Sequence, residues 1–212
     1  MQWPDFYVCC HFLEAFPRGR PCFCPDIRMR PVPRRRERRA GLKSKWMMLM
    51  SETWSVERAV PGDAADILGL IRRRIAWMDE RGIHQWNEDA YLEVFPHAYF
   101  VRAADEGRLY VVRQGGELAG AFTLFETDAR WEDRMPALYV HNLVSHPGRR
   151  GAGRAALRFC EEEARRRGVG RLRLDCIASN RELNAFYDTL GFRFAGTCAV
   201  GWYRGTLREK RL

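Results

Sequence analysis

The sequence predicts a layered α/β (α+β) domain in which helices cover a mixed central β-sheet. Between residues 51 and 212, apolar β-rich segments alternate with segments whose apolar residues recur every three or four positions. Hydrophobic residues make up 46% of the 212, which is ample for a single core. Residues 1–50 show neither period, so we expect a domain at 51–212 behind a disordered, basic extension at 1–50.

The elements follow in chain order from these periods and from the turn and capping residues between them. Strands are predicted at about 54–59, 109–113, 118–124, 138–144, 171–176 and 193–203, the last range supplying one or two strands. Helices are predicted at about 63–82, 91–105 and 181–190, and from the glycine turn near 151 to about 167. Asp63 is the expected N-cap of the first helix, and the run Arg72 to Arg74 within it is interpreted as a solvated face.

The chain carries a net charge of +9, which is concentrated at its front. Residues 1–50 hold 11 Lys and Arg against 4 Asp and Glu, whereas the remaining residues hold 25 against 23. A basic arm that binds nucleic acid is one interpretation, and a dispensable extension is the one we favour. On that view the natural start lies at Met48 or Met50, and the sequence leaves open whether residues 1–47 belong to the natural protein.

The seven cysteines do not predict a metal site. Four of them lie near His11 but lack the two-residue gaps of zinc knuckles, namely Cys9, Cys10, Cys22 and Cys24. Cys160, Cys176 and Cys198 fall within predicted helices or strands, where free cysteine behaves as a small buried hydrophobe. No secretion signal or apolar run of membrane length is recognisable, so we expect a cytoplasmic protein with reduced thiols and no membrane partner.

A glycine-rich turn separates the predicted strand at 138–144 from the helix that follows it. Gly151 and Gly153 let the backbone approach a bulky ligand, and the first N–H groups of a helix have no internal partners. Such a junction favours anions such as phosphate. The P-loop pattern and the dinucleotide fingerprint are both absent, so neither of them names the ligand.

Two segments carry a family resemblance. The loop Arg150-Gly151-Ala152-Gly153-Arg154-Ala155 resembles the acyl-CoA pyrophosphate loop of the GCN5-related N-acetyltransferases (GNAT), with the signature Arg/Gln-Gly-x-Gly-x-Gly/Ala. Residues 180–192 resemble the second family signature, Asn-x-x-Ala-x-x-Leu-Tyr-x-x-x-Gly-Phe. Leu183 stands where Ala is usual and Phe186 where Leu is usual, and both replacements are apolar. The resemblance covers about residues 51–205 and says nothing of the extension.

The resemblance implies a GNAT-like sheet and acetyl-CoA as the acyl donor. It implies that the fourth strand splays from its neighbour and that its backbone then receives the acetyl group and the pantetheine arm. The implied cofactor-binding residues are Leu143, Val144, Ser145, Arg150, Gly151, Ala152, Gly153, Arg154, Ala155 and Asn180. Tyr187 matches the family tyrosine and is the expected acid for the leaving thiolate, because a phenol with a pKa near ~10 stays protonated.

Several residues compete for the role of general base. Many relatives carry a carboxylate two residues before the strand leucine, and this chain has His141 there. An imidazole with an ordinary pKa near ~6.5 is a reasonable base at neutral pH, although a lone histidine is more often structural. Glu126 and Asp128 are the carboxylate alternatives, and His146 is expected to be a turn residue.

Residues 82–97 combine aromatic and acidic side chains in the region that usually lines the acceptor cleft of this family. Trp86, Glu88, Tyr91 and Trp131 are candidates to hold a cationic amine, and aromatic packing under a loop is the alternative.

The sequence as a whole predicts an enzyme that transfers an acetyl group from acetyl-CoA to a primary amine of an unidentified small molecule or peptide. Two other functions stay open, a non-catalytic acyl-CoA sensor and a nucleic-acid-binding protein that uses the basic arm. The oligomeric state is undetermined, and a homodimer is compatible with the sequence.

Overall fold

The structure is a computed structural model that describes residues 53–88, 90–133 and 135–212. The predicted extension, its basic arm and its four cysteines lie outside these residues. The described chain forms strands β1 (Trp54–Arg58), β2 (Leu109–Gln114), β3 (Glu117–Phe125), β4 (Leu138–Ser145), β5 (Arg171–Ile177), β6 (Arg193–Val200) and β7 (Tyr203–Arg211). Its helices are α1 (Ala64–Asp79), α2 (Tyr91–Val94), α3 (His97–Asp105), α4 (Ala152–Arg166) and α5 (Arg181–Thr189), with a 3-10 turn at Pro61–Asp63 before α1.

The strands form one mixed sheet in the order β1-β2-β3-β4-β5-β7-β6. Every neighbouring pair is antiparallel except β4 and β5, which run parallel. The parallel pairing covers only Leu138–Val140 on β4 and the facing residues on β5, with Val140 opposite Leu174 as its last pair. Beyond that pair the two strands no longer hydrogen-bond, so the sheet is forked at its centre.

Helices cover both faces of this sheet. Leu157 of α4 and Tyr187 of α5 share a core cluster with Val140 and Leu174. On the opposite face, α1 and α3 pack their own cluster against β2, β3 and β4, with the members Ile67, Ile71, Phe100, Val111 and Val144. The prediction of a mixed central sheet flanked by helices is confirmed.

Two predicted elements differ from the structure. The helix expected at 91–105 is divided into α2 and α3, because Pro96 has no N–H to donate and stands at the N-cap of α3. The last strand, β7, continues to Arg211, whereas the prediction ended near Tyr203. The many charged residues of β7 do not show the apolar alternation of a strand. Arg208 is nevertheless buried, because it pairs with Asp188 of α5.

The arginine run in α1 does not form a simple solvated face. Arg74 is half-buried and donates to the Ser145 carbonyl at 2.9 Å and to its Oγ at 2.6 Å, and Arg73 lies 2.7 Å from the His146 ring. Two of the three arginines therefore tie α1 to the end of β4, a pairing more than 70 residues apart. Asp63 likewise makes no capping bond to α1, since its carboxylate accepts from Val60 N–H and Arg113.

Among the helices of the described chain, none has the length and apolar content needed to cross a membrane.

Candidate active site

A side-chain bridge crosses the fork in the sheet. The residues that follow the last β4–β5 pair are His141 and Asp175. Arg130, from the loop between β3 and β4, donates from Nη2 to His141 Nδ1 at 2.6 Å and from Nη1 to Asp175 Oδ1 at 2.7 Å. Where the backbone pairing of β4 and β5 ends, the Arg130 guanidinium thus links the two strands. The result is a polar cluster on the inner strands of the sheet.

A bulge shapes the β4 side of the fork. Asn142 and Leu143 lie between two β4 residues that pair with β3, while β3 has only Phe122 in the same interval. Asn142 accordingly adopts a left-handed backbone conformation with φ 52°. The predicted acyl-binding backbone, from Leu143 to Ser145, therefore begins within the bulge and has no β5 partner.

The predicted anion loop lies at the N-terminus of α4. Gly151 is its N-cap, with φ 106°, and a Cβ there would lie 3.2 Å from the Trp54 ring, so both backbone and space require glycine. The first helical hydrogen bond runs from Ala155 N–H to the Gly151 carbonyl at 2.9 Å. The N–H groups between them, including that of the buried Ala152, have no helical acceptor and fit a pyrophosphate.

Gly153 differs from Gly151 because the protein itself leaves room beside it. A Cβ at Gly153 would meet only the Phe186 ring, at an ordinary contact distance of 3.9 Å. Arg150 and Arg154 are exposed, and no ion pair of theirs is recorded within the described residues, whereas Arg149 pairs with Glu117. The loop thus combines space for a ligand beside Gly153 with the positive charges of Arg150 and Arg154, which form no ion pair with the described residues.

Tyr187 lies on the α4 side of the fork. It is 6% exposed and packs between Phe186 and Phe192. In the described part of the chain no side chain or backbone group hydrogen-bonds its hydroxyl. Burial, with the nearby Cys176 and Asp175 acting in the same direction, raises the pKa of this phenol well above its ordinary value, so it stays protonated.

Asn180 has a structural role in the absence of ligand. Its Oδ1 caps α5 by accepting from Leu183 N–H at 2.9 Å. The sequence did not single out Asn184, which donates to the Ile177 and Asn180 carbonyls and accepts from Arg208 at 2.9 Å. No local pattern marks that residue, because its partner on β7 is 24 positions away.

His141 lies on the face opposite Tyr187, because adjacent strand residues alternate and Val140 packs with the α4 cluster. Arg130 Nη2 lies 2.6 Å from Nδ1 and 3.2 Å from Nε2, and Asp128 Oδ2 lies 3.1 Å from Nε2. Because a guanidinium only donates and a carboxylate accepts, we assign the closer Nδ1 as the acceptor from Arg130 and the proton to Nε2. Burial alone would raise the pKa of Asp128, but hydrogen bonds from His141 and Arg130 outweigh it and hold the pKa well below the ordinary range.

Glu126, the other carboxylate candidate, is close to Asp128 in the chain, but its side chain does not join this cluster. It is 76% exposed and pairs with Arg167, which caps the C-terminal end of α4. Because α4 covers the face of the sheet opposite His141, the Glu126 carboxylate is directed away from the imidazole. The geometry therefore favours His141 and Asp128 as the candidates at the fork.

The aromatic residues predicted for the acceptor divide into two groups. Trp86 stacks on Tyr91 at 4.6 Å, and the Tyr91 hydroxyl accepts from Asn142 at 2.7 Å, so both stand beside the bulge. Trp131 already holds a cation of the protein, because the Arg173 guanidinium lies 4.2 Å over its ring. Glu88 pairs with His84 at 2.6 Å.

A forked mixed sheet with an open helix N-terminus beside the fork is the arrangement expected of an acyl-CoA-dependent transferase domain. Residues 73–192 match the model of the acetyltransferase (GNAT) family, and the chain belongs to that family. It is an acyl-CoA-dependent acetyltransferase whose donor is acetyl-CoA.

Two relatives show the extent of the similarity. The chain is 29% identical over 154 residues to the uncharacterized N-acetyltransferase YesJ of Bacillus subtilis, covering 68% of this chain and 84% of YesJ. It also resembles the crystal structure of a GNAT family acetyltransferase from Listeria monocytogenes, at 28% identity and a TM-score of 0.62. That alignment covers 75% of this chain and 95% of the Listeria protein.

Proposed function

We propose that the protein transfers the acetyl group of acetyl-CoA to a primary amine of a small molecule or peptide in the cytoplasm. The observation that carries this proposal is the fork, where His141 lies on one face of the sheet and Tyr187 on the other. A thioester held between them has a base on the side of the incoming amine and an acid on the side of the departing sulfur.

Two structures with the same fold support the donor site. PaiA N-acetyltransferase from Thermoplasma acidophilum, in complex with coenzyme A, matches with a TM-score of 0.59 at 16% identity, over 76% of this chain and 99% of that protein. YncA from Salmonella typhimurium, with its cofactor acetyl-CoA, matches with a TM-score of 0.52 at 19% identity, over 75% and 94%. In this chain the open N–H groups of α4 suit the pyrophosphate.

On the donor side, each predicted residue has a proposed role. The loop residues Gly151, Ala152, Gly153 and Ala155 hold the pyrophosphate through their backbone, and Arg150 and Arg154 add charge. The β4 backbone from Leu143 through Val144 to Ser145 receives the acetyl group and pantetheine arm, and an N–H there stabilises the oxygen of the tetrahedral intermediate. Asn180 lies near the pantetheine.

The acceptor side favours a cation. Asp128 and Asp175 are two carboxylates around one guanidinium, that of Arg130, so these three groups carry one net negative charge. An ammonium is attracted to such a cluster and is then close to a base that can neutralise it. The described thiols of Cys160, Cys176 and Cys198 are all free, which fits a reducing cytoplasm.

The proposed reaction moves protons on both faces of the fork. His141 Nδ1, released from Arg130, accepts a proton from the ammonium, while Asp128 holds the Nε2–H and stabilises the imidazolium. The imidazolium passes this proton to solvent, the neutral nitrogen attacks the carbonyl carbon, and His141 then accepts the second proton that the nitrogen loses from the tetrahedral intermediate. As the C–S bond breaks, Tyr187 gives its proton to the thiolate, CoA leaves as the thiol, and the Tyr187 phenolate regains a proton from solvent.

A panel of primary amines assayed for CoA release tests this proposal. His141→Ala should lower turnover with the best amine by roughly 10²- to 10⁴-fold and remove the acid limb of the pH–rate profile, with little change in acetyl-CoA affinity. Glu126→Gln is the matched control and should retain the wild-type rate, because the Glu126 side chain is exposed and pairs with Arg167 instead of joining the His141 cluster. Wild-type turnover with an intact acid limb in His141→Ala would show that His141 is structural.

A further inference from the structure

The bulge in β4 requires support, because Asn142 occupies the left-handed region at φ 52°. Non-glycine residues rarely adopt this conformation, although asparagine tolerates it better than most. Such a conformation persists where the surrounding structure holds it, and it often does so at functional sites.

Three hydroxyl groups hold the Asn142 side chain. Tyr99 and Thr123 each donate to its Oδ1 at 3.0 Å, and its Nδ2 donates to the Tyr91 hydroxyl at 2.7 Å. The half-buried amide is thereby fixed from strand β3 on one side and from helices α2 and α3 on the other. The bulge cannot rotate without breaking these hydrogen bonds.

One of the three hydroxyls, that of Tyr91, belongs to the predicted acceptor region at 82–97, and that of Tyr99 lies two residues beyond it. We refer to residues 82–99 together as the acceptor segment. Within it, ring centroids follow one another at 4.6 Å from Trp86 to Tyr91, 4.7 Å from Tyr91 to Phe95 and 4.9 Å from Phe95 to Tyr99. Close-packed rings do not move independently, so a displacement at Trp86 reaches both tyrosines that hold Asn142.

We propose that Asn142 is a positioning residue that couples the order of the acceptor segment to the backbone geometry of the acyl site. The inference rests on the proposed function, which assigns the backbone from Leu143 to Ser145 to the acetyl group. A backbone N–H stabilises a developing oxyanion only from the correct position, so a small rotation of the bulge affects turnover more than donor affinity.

Acetyl-CoA labelled with carbon-13 at the thioester carbonyl tests the coupling without an identified amine. The carbonyl resonance of bound label reports the hydrogen bond that the thioester oxygen accepts, and wild-type protein should shift it from the free position. Asn142→Gly keeps the left-handed backbone at no steric cost but removes all three hydrogen bonds. We expect its bound resonance to return most of the way to the free position, with acetyl-CoA affinity within about threefold of wild type.

The double variant Tyr91→Phe/Tyr99→Phe should move the resonance in the same direction, because it removes two partners and leaves Asn142 in place. Tyr110→Phe is the matched control and should keep the wild-type resonance, since Tyr110 is about as buried as Tyr91 but belongs to the core cluster on the opposite face of the sheet, and its hydroxyl makes no hydrogen bond to Asn142. If Asn142→Gly does not fold, the double variant decides by the same criteria.

A wild-type resonance in Asn142→Gly would overturn the coupling. Parallel losses of melting temperature and acetyl-CoA affinity would also overturn it, because they assign Asn142 to maintenance of the fold alone. Failure of the proposed function is seen separately, in the wild-type protein: bound acetyl-CoA would then keep the free resonance, and the inference would fall with it.

Discussion

One hydroxyl on α5 supplies the acid of the proposed reaction. Burial raises the pKa of Tyr187 far above the pH range in which proteins are assayed, and no described group hydrogen-bonds the phenol. The residue therefore stays protonated at any working pH, so the proton that the proposed reaction needs is present. The alkaline limb of a pH–rate profile consequently reports another group.

Tyr187→Phe removes only that hydroxyl. We expect calorimetric affinity for acetyl-CoA to persist while turnover falls by roughly ten- to a thousandfold, because thiolate departure loses its proton donor. Tyr110→Phe, a hydroxyl deletion elsewhere in the same core cluster, should leave turnover unchanged. Equal rates in Tyr187→Phe and wild type would assign Tyr187 to packing.

At the scale of single elements, the two glycines at the start of α4 are required for different physical reasons. Gly151 is required by the fold, through its φ of 106° and the Trp54 ring. Gly153 has a free site for a Cβ, with Phe186 as its nearest contact at 3.9 Å. We therefore propose that a ligand, and not the protein, requires the small size of Gly153.

This contrast predicts opposite changes in stability. Without ligand, Gly153→Ala should leave the melting temperature unchanged or raise it. The free energy of unfolding should rise by at most about 1 kcal/mol, because alanine restricts the unfolded chain. The rise in melting temperature caused by acetyl-CoA should shrink, since ligand stabilisation falls with affinity. Gly151→Ala should lower the melting temperature before any ligand is added. An undiminished acetyl-CoA shift in Gly153→Ala would argue against the pyrophosphate role.

Glu163, in the last turn of α4, should make the free energy of unfolding fall at acid pH. Hydrogen bonds from Arg166, and from Arg167 beyond it, lower the pKa of Glu163 from its ordinary value near 4.5 to about 2. A carboxylate whose pKa is depressed in the folded state contributes its stability above the unfolded pKa and loses it as pH falls toward the folded one.

Glu163→Gln should therefore flatten the fall in unfolding free energy between about pH 4.5 and pH 2. The effect at neutral pH should be about 1 kcal/mol or less, because Arg166 is exposed and water screens the pair. Glu162→Gln, on the exposed face one residue earlier, should keep the wild-type acid dependence. Urea unfolding across this pH range measures both variants, and parallel curves would contradict the assignment.

At the scale of the whole molecule, the net positive charge is concentrated in the first 50 residues of the chain. The excess of 11 Lys and Arg over 4 Asp and Glu lies in residues 1–50, and the rest of the chain has 25 against 23. The anion site and the fork belong to the nearly neutral part. Acetyl-CoA binding should accordingly be independent of the basic residues at the front.

A variant that begins at Met48 should fold and bind acetyl-CoA with the wild-type affinity, because it keeps Trp54 against Gly151. Calorimetry and thermal unfolding compare it with the full chain. Any binding of the full chain to DNA should weaken steeply with salt and disappear in the shorter variant. Loss of folding would show that the front residues support the domain.

The sequence predicted the fold class and most elements because periodicity and turn residues act between near neighbours in the chain. It missed the break at Pro96, although a proline inside a helical pattern signals a boundary. It also missed β7, whose charged residues find partners on other elements, as Arg208 does with Asn184 of α5. Local patterns do not report such partners.

Sequence by itself determined the alternation of strands and helices and the glycine turn at Gly151 that opens α4. Only the tertiary structure decided that Arg130 bridges His141 and Asp175, that Asp128 contacts the His141 ring, and that the Glu126 side chain pairs with Arg167 instead of His141. The physical reason is range: a glycine turn is encoded by adjacent residues, whereas a side-chain cluster at a fork depends on strands that meet only in the folded sheet.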